Sequence, residues 1–211
     1  TKVIYNDYYV ELHTADGKIY NCNKVCITVP PGPLKDITFS PPLKTERVSA
    51  LSKIKMGSYK KIQIEFNNED IFWGDIDSPM FLTHNSKIDG EMYYLHKDLY
   101  NESTQSFPYI LWNNYKYSKN KPILEAVCPA DIGWKLSGVN DESIIDIVTS
   151  QLRNYYPDMP EPKAWHITRW EEDIFSQGAY SYHDCNITDE DVHNVYENID
   201  MGVLNNDSTM L

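Results

Sequence analysis

Between Tyr59 and Phe66 the chain reads YKKIQIEF, with apolar and polar residues in alternation. A period of two marks a strand with one face buried and the other wet. Ile62, Ile64 and Phe66 fall on one face, and Lys61, Gln63 and Glu65 on the other. Lys60 is in phase with the apolar face and Lys61 with the polar one. The ordinary reading has both lysines solvated, their stems laid along the surface. A lysine that shares a polar face with Gln63 and Glu65 is also placed to reach a cofactor edge or to hold a water.

The rest of the chain supplies partners for this strand. The runs PMFLT, EMYYLH, YILWN and ILEAVCP are short, β-like and separated by loops rich in Asn, Asp, Ser and Gly. They predict an antiparallel or mixed sheet of about five strands, with AWHITRW as a last strand. NDESIIDIVTSQLRNYYP predicts the clearest helix. Asn140 or Asp141 caps it, Ile144, Ile145, Ile147, Val148 and Leu152 form its apolar side, and Pro157 ends it.

In front, two strands flank Asp16-Gly17, a type I′ turn signal. Val25, Ile27 and Val29 alternate in the second run, which reads as buried on both faces. A short helix is expected from about Lys44 to Ile54, with Val48, Leu51 and Ile54 as its apolar stripe and Gly57 as its stop. EEDIFSQGAYSYHD reads as an aromatic loop, and the tail NVYENIDMGVLNNDSTML as polar and irregular. The fold class is therefore α+β: a mixed β-sheet of about five to six strands flanked by helices, with a leading β-hairpin.

Length permits one domain, or one domain with pieces of another, in 211 residues. No apolar run approaches the ~20 residues of a membrane span. The chain opens TKVIYNDYYVELHTADG, which reads as strand and turn, and without an initiator Met; the expectation is a piece of a longer protein. A formal net charge of −12 disfavours nucleic-acid phosphates and anionic membranes and suits cationic substrates such as amines. Cys22, Cys26, Cys128 and Cys185 lack metal-site spacing. Reduced thiols point to an intracellular protein, cytoplasmic by default, with peroxisome and nucleus left open. Three glycosylation sequons, at Asn101, Asn186 and Asn206, are weak evidence for secretion.

Local catalytic motifs are few. The nine glycines form no G-x-G-x-x-G phosphate loop. The six histidines, at 13, 84, 96, 166, 183 and 193, show no H-x-x-x-H spacing, and no G-x-S-x-G elbow supports a nucleophilic serine. Trp170 and Tyr180 flank the FSQG loop. They read as core residues, or as walls of a site where aromatic faces receive a cation and exclude water.

Two ordered blocks carry a resemblance. KVCITVPPGPLKDITFSPPLKTERVSALSKIKMGSYKKIQIEFNNEDIFW has a strand ending T-V-P-x-G-x-L, then F-x-P-P-L, an amphipathic helix, G-x-x-x-K into a strand, and F-W. PEPKAWHITRWEEDIFSQGAYSYH has T-R-W-x-x-D-x-x-S-x-G-x-Y-S-Y. In both blocks the chain resembles the flavin-dependent amine oxidases: polyamine oxidases, lysine-specific histone demethylases and, more distantly, monoamine oxidases. The departures are Pro31 and Pro33, where the family prefers aliphatics, and Phe175, where proline-aromatic variants are common.

The resemblance implies roles. Lys61, counted from Gly57, matches the lysine that holds a water against flavin N5; Lys60 stands where the family accepts other polar residues. Trp170 matches a tryptophan packed near the flavin. Tyr180 matches an aromatic wall of the substrate cage, with Phe175 in the same loop. Thr28, Val29 and Pro30 match a strand end that passes close to the cofactor. The implied reaction is oxidation of an amine to an imine, with hydride transfer to FAD and reoxidation by dioxygen to give hydrogen peroxide. A neutral amine is required, so a water-poor aromatic cage is expected.

The dinucleotide fold and the second flavin segment of the family are not recognisable in the chain. The resemblance thus implies an internal piece: 1–32 a hairpin of an incomplete FAD-binding domain, 33–169 the substrate-binding domain, and 170–211 a return towards the FAD-binding domain. The main FAD-binding segments are expected to lie outside it, leaving the isolated chain inactive. Without an inserted helical tower between the blocks, polyamine-type substrates are preferred over histone lysines. The competing reading is a non-catalytic amine-oxidase-like module that binds a ligand or a partner.

Overall fold

A computed structural model describes residues 1–6, 8–74, 78–83 and 110–196. The run EMYYLH, His84, His96 and the tail beyond Tyr196 lie outside the described residues. The chain divides into two compact units, Thr1–Gly57 with Ile174–Leu211, and Ser58–Asp173.

The second unit is built on a five-stranded sheet. Its strands are β6 (Tyr59–Glu65), β7 (Met80–Thr83), β8 (Ile110–Asn114), β9 (Ile123–Pro129) and β10 (Ala164–Ile167), ordered β10-β6-β9-β8-β7. Every pairing is antiparallel. The alternation of β6 is realised: Ile62, Ile64 and Phe66 are 0% exposed. On that face lie Trp112 and Leu124, and the five-residue apolar side of α5 (Asp141–Arg153) is buried in the same core. Each fully buried aliphatic there contributes about 1.5–3 kcal/mol. Asn140 is the cap, its side chain accepting from Ser143 N at 2.8 Å. Phe72 and Trp73 of the F-W motif pack edge-on against Phe66, so that motif is core. AWHITRW contributes only four residues to the sheet, because Thr168 turns its hydroxyl to the β6 backbone.

Among the described residues, two short helices accompany this sheet, α3 (Tyr115–Lys119) after β8 and α4 (Ala130–Lys135) after β9. Gly133 of α4 is obligatory. A β-carbon there would stand 1.8 Å from Ser58 Oγ.

The first unit holds a four-stranded sheet, β3-β2-β1-β4, of β1 (Lys2–Tyr5), β2 (Val10–His13), β3 (Ile19–Cys22) and β4 (Thr38–Ser40). β1 and β4 run parallel, which makes this sheet mixed. The turn between β2 and β3 is not type I′. Thr14 N bonds Lys18 O and Gly17 N bonds Thr14 O, and only Gly17, at φ 80°, is left-handed. That is a three-residue loop with a glycine bulge.

Residues 24–30 form no strand, contrary to the alternation of Val25, Ile27 and Val29, and Val25 and Val29 are 38% and 37% exposed. No described strand pairs with them, and a strand exists only through a partner's ladder. Helix α1 (Pro31–Leu34) follows. Helix α2 (Thr45–Ser52) is shorter than expected and buries Ala50, whereas Val48 is 53% exposed. Ile54 and Gly57 belong instead to β5 (Ile54–Gly57), which pairs antiparallel with β11 (Tyr180–His183) inside the supposed aromatic loop. Helix α6 (Asp189–Tyr196) packs against α2, and its last turn takes in Asn194, Val195 and Tyr196 at the start of the supposed irregular tail. Among the described residues no helix is long and apolar enough to cross a membrane.

Candidate active site

The pleat of β6 sends its two lysines to opposite faces. Lys60 lies on the apolar face, and its side chain is 0% exposed. This corrects the reading of two solvated lysines. A buried ammonium is tolerable only with partners. Lys60 Nζ lies 3.1 Å from Glu171 Oε2 and donates to Thr168 O at 3.1 Å. Glu171 is equally buried and accepts from the Ser58 hydroxyl with its other oxygen. Cys128 stands opposite Lys60 across the β6–β9 ladder. Burial pushes its thiol up to about 12, against the opposing pull of the Lys60 charge. Lys60 is a structural ion pair.

Lys61 is the lysine that presents its amine. Its side chain is 44% exposed on the polar face, with Nζ 3.7 Å from Glu125 Oε1. Glu125, on β9, is 1% exposed. Gln63 Nε2 donates to its Oε2 at 2.8 Å, Asn113 Nδ2 to its Oε1 at 2.8 Å, and the Tyr115 hydroxyl to Oε2 at 3.1 Å. Burial alone raises the Glu125 carboxyl, but these three donors and the Lys61 charge outweigh it and hold the group below its ordinary value. Sequence reasoning missed Glu125. Its signal was a lone carboxylate within the apolar run ILEAVCP, on the wet face once β9 pairs with β6.

Trp170 is displayed by its neighbours. Thr168 Oγ1 accepts from Lys61 N at 2.9 Å, fixing the chain to β6. Arg169 binds Asp141 and the Val139 carbonyl at the start of α5, and Glu171 is sealed onto Lys60. Between these anchors the Trp170 ring is 47% exposed, which corrects the core reading. In the second unit, then, the structure yields an exposed amine and an exposed indole on segments joined by backbone hydrogen bonds.

In the first unit the FSQG loop is laid closely on β5 and α1. A β-carbon on Gly178, at φ 146°, would stand 2.7 Å from Met56 Cβ, and one on Gly32 would stand 2.8 Å from Gln177 Cβ. Gln177 also donates to Asp36 at 2.7 Å. From this loop β11 carries Tyr180, 43% exposed, with the Tyr182 ring centroid 6.4 Å away. Phe175, in the loop itself, is 76% exposed. Tyr180, like Trp170, is therefore not core. Thr28 and Val29 are exposed, and Pro30 leads into α1. Among the described residues no three His, Cys, Asp or Glu side chains gather as a metal site requires.

Comparison with known proteins points one way. The pattern of the flavin containing amine oxidoreductases matches residues 1–204. Histone demethylase-like protein A of Aspergillus fumigatus is 34% identical over 176 residues, which is 81% of this chain and 16% of that protein. Polyamine oxidase 4 of Oryza sativa subsp. japonica is 27% identical over 183 residues, 86% of this chain and 33% of its own length. The cyclohexylamine oxidase of Brevibacterium oxydans superposes with a TM-score of 0.58 at 15% identity, covering 88% of this chain and 37% of that one. The chain thus spans a third or less of these curated relatives, and the cyclohexylamine oxidase supports likeness of fold.

Proposed function

Because the chain belongs to the flavin-containing amine oxidoreductases, we propose that it supplies the substrate-side sheet and the flavin-facing lysine of an FAD-dependent enzyme that oxidises an amine to an imine, with polyamines as the substrate class. The observation that carries this reading is the division of labour in β6. Lys60 is consumed by a buried ion pair, while Lys61, at the position the family motif requires, keeps its amine on the wet face.

The residues present fit the cofactor. Lys61, whose amine is exposed, would hold a water for the flavin, and Trp170, also exposed, would pack near its ring, each by its match to the family motif. In the first unit, Thr28, Val29 and Pro30 match the family's strand end that would pass close to the cofactor. When bound, FAD would supply the acceptor for the hydride from the carbon next to the amine nitrogen, with dioxygen as the final oxidant. This chain's own part is to orient the amine, exclude water and hold a proton-handling water at Lys61 Nζ. Tyr180 and Phe175 offer aromatic faces to the amine. In this reading residues 33–169 act as the substrate-binding domain, and 1–32 and 170–211 contribute to the flavin-binding one.

A second reading, demethylation of histone lysines, is favoured by the 34% identity to a histone demethylase-like protein. Anaerobic mixing of the flavin-loaded enzyme with spermidine, or with an N-methyllysine histone peptide, separates the two. Bleaching of the visible flavin absorbance by the polyamine supports the first reading, and bleaching by the peptide alone supports the second. A bound flavin that neither amine bleaches leaves a non-catalytic module.

A further inference from the structure

We propose that Glu125 is a positioning residue for Lys61, a fixed anionic post that sets where the Lys61 amine stands on the polar face of the sheet. This rests on the reading of Lys61 given above and assigns a role to a residue outside the family motif. A lysine side chain has four rotatable bonds, and one that is 44% exposed is only partly held by packing. The single described ion pair of Lys61 Nζ is with Glu125 Oε1, at 3.7 Å. For that contact to fix the amine, the carboxylate must itself be immobile.

Glu125 meets that condition. It is 1% exposed, and donors from three different segments hold it: Gln63 from β6, Asn113 from β8 and Tyr115 from α3. Both oxygens are engaged, and rotation of the carboxylate would break at least two of the three bonds. The same donors favour the ionised form, so the post stays charged at neutral pH. Glu125 is itself too enclosed to meet a substrate. Its effect reaches the reaction through Lys61, because a water-holding amine displaced by about 1 Å loses its geometry.

Two experiments test this. In the flavin-free chain labelled with 15N-lysine, the Nζ signal of Lys61, assigned by its loss in Lys61→Met, is expected to shift or broaden in Glu125→Gln. It is expected to shift in the same sense, by less, in Tyr115→Phe, which removes only one of the three donors. In the flavin-loaded enzyme, Glu125→Gln is expected to slow the Lys61-dependent flavin step about tenfold when Lys61 is present, and less than about twofold in a Lys61→Met background. Equal slowing in both backgrounds would make Glu125 merely structural, and an unmoved Nζ signal in both variants would also overturn the proposal. If Glu125→Gln does not fold, the Tyr115→Phe signal decides. If Lys61→Met alone leaves turnover unchanged, the reading of Lys61 fails whatever the Nζ signal reports on the pair.

Discussion

Lys60 and Lys61 are adjacent in β6, yet one is sealed against Glu171 with 0% of its side chain exposed and the other shows 44% beside Glu125. A strand's period of two makes this possible. One lysine can be part of the architecture while its neighbour remains available for chemistry.

The buried pair gives the first prediction. Lys60→Met strands the Glu171 carboxylate and costs about 3–5 kcal/mol. Adding Glu171→Gln, which keeps an acceptor for Ser58, returns more than half of that loss. Urea unfolding of the single and double variants measures both. A near-neutral single variant would contradict the ion pair.

Tyr180 gives the second. It pairs with Gly57 across β5 and β11, and a β-carbon at Gly57 would stand 2.5 Å from its ring. Gly57→Ala therefore displaces the ring and costs about 1–3 kcal/mol by overpacking. Thermal unfolding and the near-ultraviolet tyrosine signal report it, and an unchanged signal would mean that the ring does not lie over Gly57.

Acid stability gives the third. Thr188 and Asp191 form a capping box at the start of α6: the Asp191 carboxylate accepts from Thr188 N at 2.8 Å, and Asp191 N donates to Thr188 Oγ1 at 3.2 Å. The carboxylate also meets Lys53 Nζ at 2.6 Å. The hydrogen bond from Lys53, then those from Thr188, lower Asp191 from 3.8 to about 2. A depressed carboxyl contributes stability above its unfolded pKa and loses it as pH falls through the folded one. Stability should thus decline between pH 3.8 and about 2, and Asp191→Asn should flatten that part of the curve. An unchanged acid limb in Asp191→Asn would refute the linkage.

Thiol reactivity gives the fourth. Cys26 and Cys185 are exposed, whereas Cys128 is buried with its thiol pushed up to about 12. Iodoacetamide should alkylate the first two in the native state and Cys128 only on unfolding. Mass spectrometry of the labelled peptides checks the order, and early labelling of Cys128 would contradict its burial.

These residues also mark how far the sequence could be read. The faces of β6 and the apolar side of α5 were legible because periodicity is local and both elements have a dry side. Residues 24–30 were not, because alternation cannot say whether a partner strand is present. β11 was hidden in an aromatic loop for the same reason, its pairing with β5 being a long-range fact. Motif spacing singled out Lys61, Trp170 and Tyr180, and each of the three is partly exposed. The fate of Lys60 depended on Glu171, more than a hundred residues away, and no local pattern announces such a pair. Glu125 was lost in an apolar run and became visible only once β9 was laid beside β6.

The most direct measurement is stopped-flow kinetics on the flavin-loaded enzyme with Lys61→Met. Flavin reduction or reoxidation is predicted to slow by about 10²-fold, while the apparent Kd for the amine changes by less than about threefold. Equal rates for Lys61→Met and the parent would contradict the assignment of Lys61 as the flavin-facing lysine.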